Sequence, residues 1–395
     1  MRKRILLVAM PNSIHVVRWI RQLEGQDWDI HLFPSIGGDV IHPDIANVTI
    51  HHLFYSKYRP LIRINYPVKP SKLSQRIDII RSLIIEKRFP SQRIKQLSRV
   101  INQLKPDIIH SLEIQAAGYL TLESKNVYKG NFPPWIVTNW GSDIFLFGRL
   151  QQHKVRIGKV LANCDYYSCE CERDIELAKQ FGFNGTTMPV FPNTGGFNLA
   201  RLNTERHQIP TSVRKLIMLK GYQNWAGRAL VGLRALARCK DLLDGYSVAI
   251  YSASPDVEIA AELFTDETGI PTKVIPKNTQ HQEMLSLHAQ ARISIGLSIS
   301  DAISTSFLEA IVMGSFPIQS CTACVGEWVE HGVSGMIVPP EDSDVIEIAI
   351  RRALSDDRLV DEASDINWVI AQERLDDNLL KLKAINMYSD LLYKK

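Results

Sequence analysis

The chain predicts an α/β fold built from two Rossmann-like halves. Strand-like and helix-like segments alternate along most of the 395 residues. A turn-rich, polar stretch from Phe191 to Val213, with Pro210 inside it, interrupts that alternation. The pattern then restarts, and a chain of this length exceeds one ordinary core. The expected division is 1–200, 201–375 and a helical tail over 376–395.

In chain order, Arg4–Met10 is an apolar first strand, and Ile14–Gln22 is a helix carrying His15, Arg18 and Trp19. Trp28–Phe33 is a second strand. Leu97–Leu104 is helical, and Pro106-Asp-Ile-Ile-His110 is a strand that ends at His110 and Ser111. Pro134–Trp140 is a strand running into Gly141-Ser-Asp143, and Asp165–Ser168 leads to a helix through Arg173–Phe181, closed by Gly182. In the second half, strands are expected at Lys215–Lys220, Tyr246–Ser252, Thr272–Pro276, Ile293–Ser300, Phe316–Gln319 and Gly335–Pro339. Helices are expected at Arg228–Ala237, Asp256–Glu267 and His281–Gln290. In sheets of this kind ligands bind beyond the carboxyl ends of the strands.

Composition narrows the class. Hydrophobic residues at 45% and charged residues at 22% are ordinary for a soluble globular enzyme. No apolar run approaches bilayer length, and Met1–Met10 reads as a basic end feeding a strand rather than a leader. The expected compartment is the cytoplasm. The six cysteines form no secreted disulfide pattern, and Cys321-Thr-Ala-Cys324 has no second pair nearby to complete a zinc site. The net charge of +4 hides a basic tract: Lys57–Lys105 holds thirteen Lys or Arg against Asp78 and Glu86, with isoleucines interleaved. Such a surface suits an anionic membrane face, or is a solvated insertion. Its aromatic residues are sparse, which argues against nucleic acid.

The stretch richest in chemistry is Asp301-Ala-Ile-Ser-Thr-Ser-Phe-Leu-Glu309, after the apolar run Ile293–Ser300. It reads as strand, small-residue loop, then the first turn of a helix. Amides at such a helix start favour an anion such as a diphosphate. An acid one turn further in can take the two hydroxyls of a ribose. The competing reading is a capping box, Ser306-Phe-Leu-Glu309, in which the Glu satisfies one orphan amide.

Ser300-Asp-Ala-Ile-Ser-Thr-Ser-Phe-Leu-Glu-Ala-Ile-Val-Met-Gly-Ser-Phe-Pro-Ile318 and Glu327-Trp-Val-Glu-His-Gly-Val-Ser-Gly-Met-Ile-Val-Pro-Pro340 resemble the retaining glycosyltransferases of family 4. There an acid is followed after seven residues by Glu-Ala-Met-Ala-x-Gly-x-Pro-Val, then by Glu-x-Ile-x-x-Gly-x-x-Gly-x-Leu-Val. Residues 290–355 carry the likeness; Pro106–His110, Gly141–Asp143 and Pro192-Asn193 are looser matches. The resemblance implies the GT-B fold: two Rossmann-like domains facing across a cleft, acceptor domain first and nucleotide-sugar domain second, with the C-terminal helix crossing back to the first. It implies a nucleotide-sugar donor, which is a substrate, and neither cofactor nor metal. Asp27-Trp-Asp29 spells the metal-binding motif of another transferase architecture but precedes a strand and reads as a turn.

By the same resemblance Glu309 binds the ribose hydroxyls, Asp301 touches the donor sugar, and amides of Ile303, Ser304 and Thr305 meet the phosphates or the sugar. The family's phosphate-binding Arg is Tyr222 here and its Lys is displaced, so Lys220, Gly221 and Arg228 are the donor-binding candidates. Arg228 is favoured because a guanidinium grips phosphate with two donors, the alternative being a surface cation. The expected catalytic set is Asp301, Arg228 and Glu309. The His of the family's His-Gly-x-Asp loop is Trp140 here. Ser13, His15, His110, Gly141 and Asp143 are candidates for acceptor binding, the alternative for each being capping or packing. The expected function is sugar transfer to a glycan or lipid-linked acceptor, peripheral at the inner membrane face if the basic tract docks there. The alternative is a non-catalytic relative that binds glycans or scaffolds their assembly.

Overall fold

The computed structural model describes residues 2–37, 41–51, 63–65, 91–206 and 209–393. The chain forms two compact units: Met1–Gly195 with Leu380–Lys395, and Gly196–Leu379.

The first unit is an eight-stranded sheet of β1 (Lys3–Ala9), β2 (Trp28–Pro34), β3 (Thr49–His51), β4 (Arg63–Asn65), β5 (Ile108–Leu112), β6 (Trp135–Thr138), β7 (Tyr166–Ser168) and β8 (Thr186–Thr187). Its order is β4-β3-β2-β1-β5-β6-β7-β8. Every pairing is parallel except β3 with β4 at the edge. Alternate residues of β1 face opposite layers, as a period of two requires. Ile5, Leu7 and Ala9 pack with the helix Ile14–Gln22 and with Leu380, Ala384, Met387 and Tyr388 of the C-terminal helix. Leu6 and Val8 join the layer of Leu97, Ile101, Leu122, Ile157 and Val160 on the other side. Burial on both faces explains why these strands read as unbroken apolar runs. The C-terminal helix, Asp377–Tyr393, therefore completes the first unit although it follows the second in sequence.

The second unit is a parallel six-stranded sheet of β9 (Leu216–Lys220), β10 (Ser247–Tyr251), β11 (Thr272–Val274), β12 (Ala291–Gly296), β13 (Phe316–Ser320) and β14 (Met336–Val338). Its order, β11-β10-β9-β12-β13-β14, reverses direction between β9 and β12. That reversal is the crevice where doubly wound sheets bind ligands. Two helices that the sequence pattern left unassigned, Ser343–Ser355 and Asp357–Arg374, cover this sheet.

Most expected elements form within a residue or two of their predicted ends. One difference matters. The strand expected over Ile293–Ser300 ends at Gly296, and the helix starts at Thr305 with Ser304 in the capping position. Ser306 is thus inside the first turn and cannot be the cap of a capping box with Glu309. The helix, Thr305–Val312, buries Phe307, Leu308, Ala310, Ile311 and Val312. It ends at Gly314, whose φ of +76° is the left-handed conformation glycine favours. Ser315 N–H donates to Ala310 O at 2.9 Å and Gly314 N–H to Ile311 O at 3.3 Å, the paired bonds of a Schellman stop.

Much of the basic tract expected to meet a membrane, 57–62 and 66–90, lies outside the described residues. Within the described part, Arg93 is buried and donates to the carbonyl of Pro34. No helix among the described residues is long and apolar enough to cross a membrane.

Candidate functional site

The second unit brings Lys220, Asp301, Ser304 and Ser306 together at the carboxyl ends of β9 and β12. Lys220 closes β9, the strand beside the reversal. Its Nζ donates to Ser304 Oγ at 3.0 Å and lies 3.8 Å from Asp301 Oδ2. Ser304 Oγ is 2.9 Å from Ser306 Oγ, and the Lys220 ammonium sits 4.9 Å from the centre of the Tyr222 ring. Ser304 makes no side-chain capping bond, so no side chain from that position covers the helix start. First-turn amides and a lysine converge there, an arrangement that stabilises an anion. Ile303 is buried just before the helix, and Asp301 Oδ1 accepts from Ala302 N at 3.0 Å.

Glu309 stands one turn deeper. Its side chain is only 9% exposed, yet its partners are not backbone amides. Oε1 lies 2.8 Å from His281 Nε2, and Oε2 lies 3.8 Å from His288 Nε2. His288 is fully buried, with Nδ1 3.0 Å from Ser294 Oγ, which is 2.8 Å from Ser315 Oγ. Burial pulls the His288 pKa down to about 4, so the ring is neutral near pH 7. Burial likewise pushes the Tyr251 phenol upward; its ring meets His288 edge-on at 5.8 Å. The capping-box reading of Glu309 is excluded, because its carboxylate serves imidazoles. His281 and His288 escaped the sequence reading. Their spacing of seven on one helix, two turns on the same face, was the available signal.

Arg228 is not placed in this group. It caps the helix Ala229–Arg238, and its side chain folds back over the preceding turn. Its Nε donates to Glu341 Oε1 at 2.8 Å, and Nη1 donates to the carbonyls of Gly227, Ala226 and Asn224. Lys220 is the cation beside the helix start. Gly221 follows it against Ala253, where a Cβ would lie 2.7 Å from backbone.

In the first unit the acceptor candidates divide. His110, expected to position an acceptor, is instead fully buried, and both ring nitrogens are engaged. Trp19 Nε1 donates to the Tyr388 hydroxyl at 2.9 Å, so that hydroxyl donates to His110 Nδ1 at 2.6 Å. His110 Nε2–H then donates to Thr138 Oγ1 at 2.6 Å. Burial drops the His110 pKa to about 3, and the ring stays neutral. Asp143 is also buried; its Oδ2 accepts from Ile114 N at 2.9 Å and Trp140 N at 3.1 Å. Ser13 accepts from His15 N at 3.2 Å as the cap of its helix, and the half-buried His15 ring lies 5.6 Å from Trp140. Gly141 has φ +50°, which lets the chain turn into the short helix Ser142–Phe145.

Sequence reasoning missed Glu113 as well. It sits just past β5 with φ +88° and ψ 156°, a backbone region other residues avoid, and its carboxylate accepts from Ala116 N and Ala117 N. Burial raises the Glu113 pKa to about 7, and burial together with the Glu113 charge raises that of Asp143. An acid after a strand and before the small-residue run Ile-Gln-Ala-Ala-Gly118 was the signal; the same reasoning singled out Asp301.

Known proteins bear on these geometries. Residues 4–167 match the family described as glycosyl transferase 4-like, and residues 216–367 match glycosyl transferases group 1. No curated protein sequence gives a match. Among solved structures, sucrose-phosphate synthase from Thermosynechococcus elongatus superposes with a TM-score of 0.72 at 15% identity, covering 100% of both chains. HepE from Anabaena, in complex with UDP and glucose, gives 0.67 at 14% identity over 98% of this chain and 100% of its own. A UDP-forming trehalose-phosphate synthase from Burkholderia xenovorans gives 0.66 at 14%, covering 100% and 99%. Together with the two Rossmann-like sheets, these matches place the chain in the group 1 glycosyltransferases of GT-B fold.

Proposed function

We propose that this glycosyltransferase takes a nucleotide-sugar donor on its second unit and passes the sugar, with retained configuration and without a metal, to a glycan or lipid-linked acceptor. The observation that carries the reading is Glu309, a nearly buried carboxylate that does not cap its own helix and stands one turn behind first-turn amides and Lys220. That spacing suits a nucleoside joined to a diphosphate: hydroxyls at the carboxylate, phosphates at the amides and ammonium. The UDP bound by HepE supports the same class of donor.

Breaking the bond between sugar and diphosphate builds negative charge on phosphate oxygens. Fixed amide dipoles and one cation oriented in advance stabilise that charge more than mobile water does. Asp301 Oδ2, 3.8 Å from Lys220 Nζ, helps hold the ammonium beside the helix start, where the diphosphate is assigned. The acceptor is assigned to the first unit, where Ser13, His15 and Gly141 remain candidates once His110 and Asp143 are placed in the core.

Titration with UDP, GDP and ADP by calorimetry tests the reading. Glu309→Gln is expected to weaken the bound nucleotide at least tenfold, since hydrogen bonds to a charged group are worth about 1.5–3 kcal/mol. Circular dichroism should stay unchanged. Unchanged affinity would remove the nucleoside from this carboxylate. The position of Arg228, held by Glu341, favours a second reading in which the chain binds donor or glycan without transfer. Release of free sugar from the donor without acceptor separates the two.

A further inference from the structure

The helix His281–Gln290 presents two imidazoles to one carboxylate. His281 opens the helix with a side chain 48% exposed, and His288, two turns on, is fully buried. They reach Glu309 from opposite ends: Nε2 of His281 on Oε1 at 2.8 Å, Nε2 of His288 toward Oε2 at 3.8 Å. His288 Nε2 makes no hydrogen bond, although it is buried and aimed at the carboxylate. The ring is fixed from behind by Ser294, which bonds Ser315, and from the side by Tyr251.

We infer that His281 and His288 are positioning residues that orient Glu309 so that it offers its remaining acceptor sites to the vicinal hydroxyls of a nucleoside ribose. The inference rests on the donor assignment above and deepens it. An ionised carboxylate has about four lone-pair sites. The His281 hydrogen bond uses one site on Oε1, and the fixed His288 ring, 3.8 Å from Oε2 without a hydrogen bond, stands over a second; about two stay open, the number a vicinal diol fills with its two O–H donors. The hydrogen bond from His281 on Oε1 and the buried His288 ring beside Oε2 also restrict the plane of the carboxylate, which a free Glu side chain would have to order on binding. Neither histidine touches the reacting atoms. Both act through Glu309.

The test compares UDP with 2′-deoxy-UDP by calorimetry; if the wild type prefers GDP or ADP, that nucleotide and its 2′-deoxy form replace them. The wild type is expected to bind the ribonucleotide about tenfold more tightly than the deoxynucleotide, the worth of one hydrogen bond to a charged group. His281→Ala should weaken the ribonucleotide about tenfold and shrink that preference toward unity. His281→Gln, which keeps a donor at a similar reach, should restore most of both. His288→Gln is a second probe; because His288 is part of the core, the surface variant His281→Ala decides the matter. Equal weakening of both nucleotides by His281→Ala, or no change in either, overturns the inference. Loss of binding in Glu309→Gln with an unaltered His281→Ala overturns the imidazole clamp alone. Unaltered binding in Glu309→Gln, or no nucleotide binding by the wild type, overturns the donor assignment and the clamp together.

Discussion

Glu113 and His110 show how differently one sheet treats its ionisable groups. His110 is buried in neutral form with two partners, whereas Glu113 is buried beside another carboxyl, Asp143. The Glu113 pKa rises from 4.5 to about 7 because burial disfavours its charge. The folded state therefore holds that proton more tightly than the unfolded chain does. Its stabilising contribution is complete below the unfolded pKa of 4.5 and is lost as pH climbs from there to about 7. His110 and His288 act in the opposite sense. Their folded values fall to about 3 and about 4, so the unfolded chain takes protons first as pH drops below 6.5, and stability falls with it. The Glu113→Gln variant tests the first effect, with the accompanying relief of Asp143 included. The difference in melting temperature, variant minus wild type, should grow more positive between pH 4.5 and 7 and level off above. A flat difference across that range would mean that Glu113 is ionised at no cost to the fold.

At the scale of elements, the C-terminal helix depends on one hydroxyl. Tyr388 accepts from Trp19, of the helix after β1, and donates to His110 of β5. Tyr388→Phe leaves two buried polar groups without that partner while keeping the ring packing. A loss of about 1–3 kcal/mol per unsatisfied buried group is expected, measured by urea unfolding of the purified chain. The same logic explains why the helix is legible in sequence but its docking is not. Asp377–Tyr393 has helix-forming composition, while the contacts of Tyr388 lie 278 and 369 residues away in the chain. The helix Thr305–Val312 gives the converse case. Its existence is legible in the small-residue loop after the apolar strand, but the capping-box alternative, with its cap at Ser306, sets the start two residues late. Ser304, Thr305 and Ser306 are all plausible caps, and propensity does not rank them.

For the whole molecule, the proposed function gives the two units separate tasks, and ligand binding should report on them separately. Addition of UDP is expected to slow amide hydrogen exchange in the helix Thr305–Val312 and near His281, both in the second unit. Strand β5, deep in the first unit, should exchange at an unchanged rate. Protection confined to β5 instead would assign the nucleotide to the wrong unit. Ligand that binds only the folded form stabilises the elements it touches first, which is what the exchange pattern reads.

The sequence alone determined the alternation of strands and helices, the restart near residue 200 and the spacing of Asp301 and Glu309 on either side of a helix start. Those features are written in local periodicity and in spacing along one segment. The tertiary structure decided which polar side chains meet. It put Lys220 of β9 on Ser304, set His281 and His288 on Glu309, held Arg228 on Glu341 and sealed His110 behind Tyr388. Each of these contacts joins residues far apart in the chain or two turns apart on a helix. Their partners depend on how separate elements pack, and no local pattern encodes that.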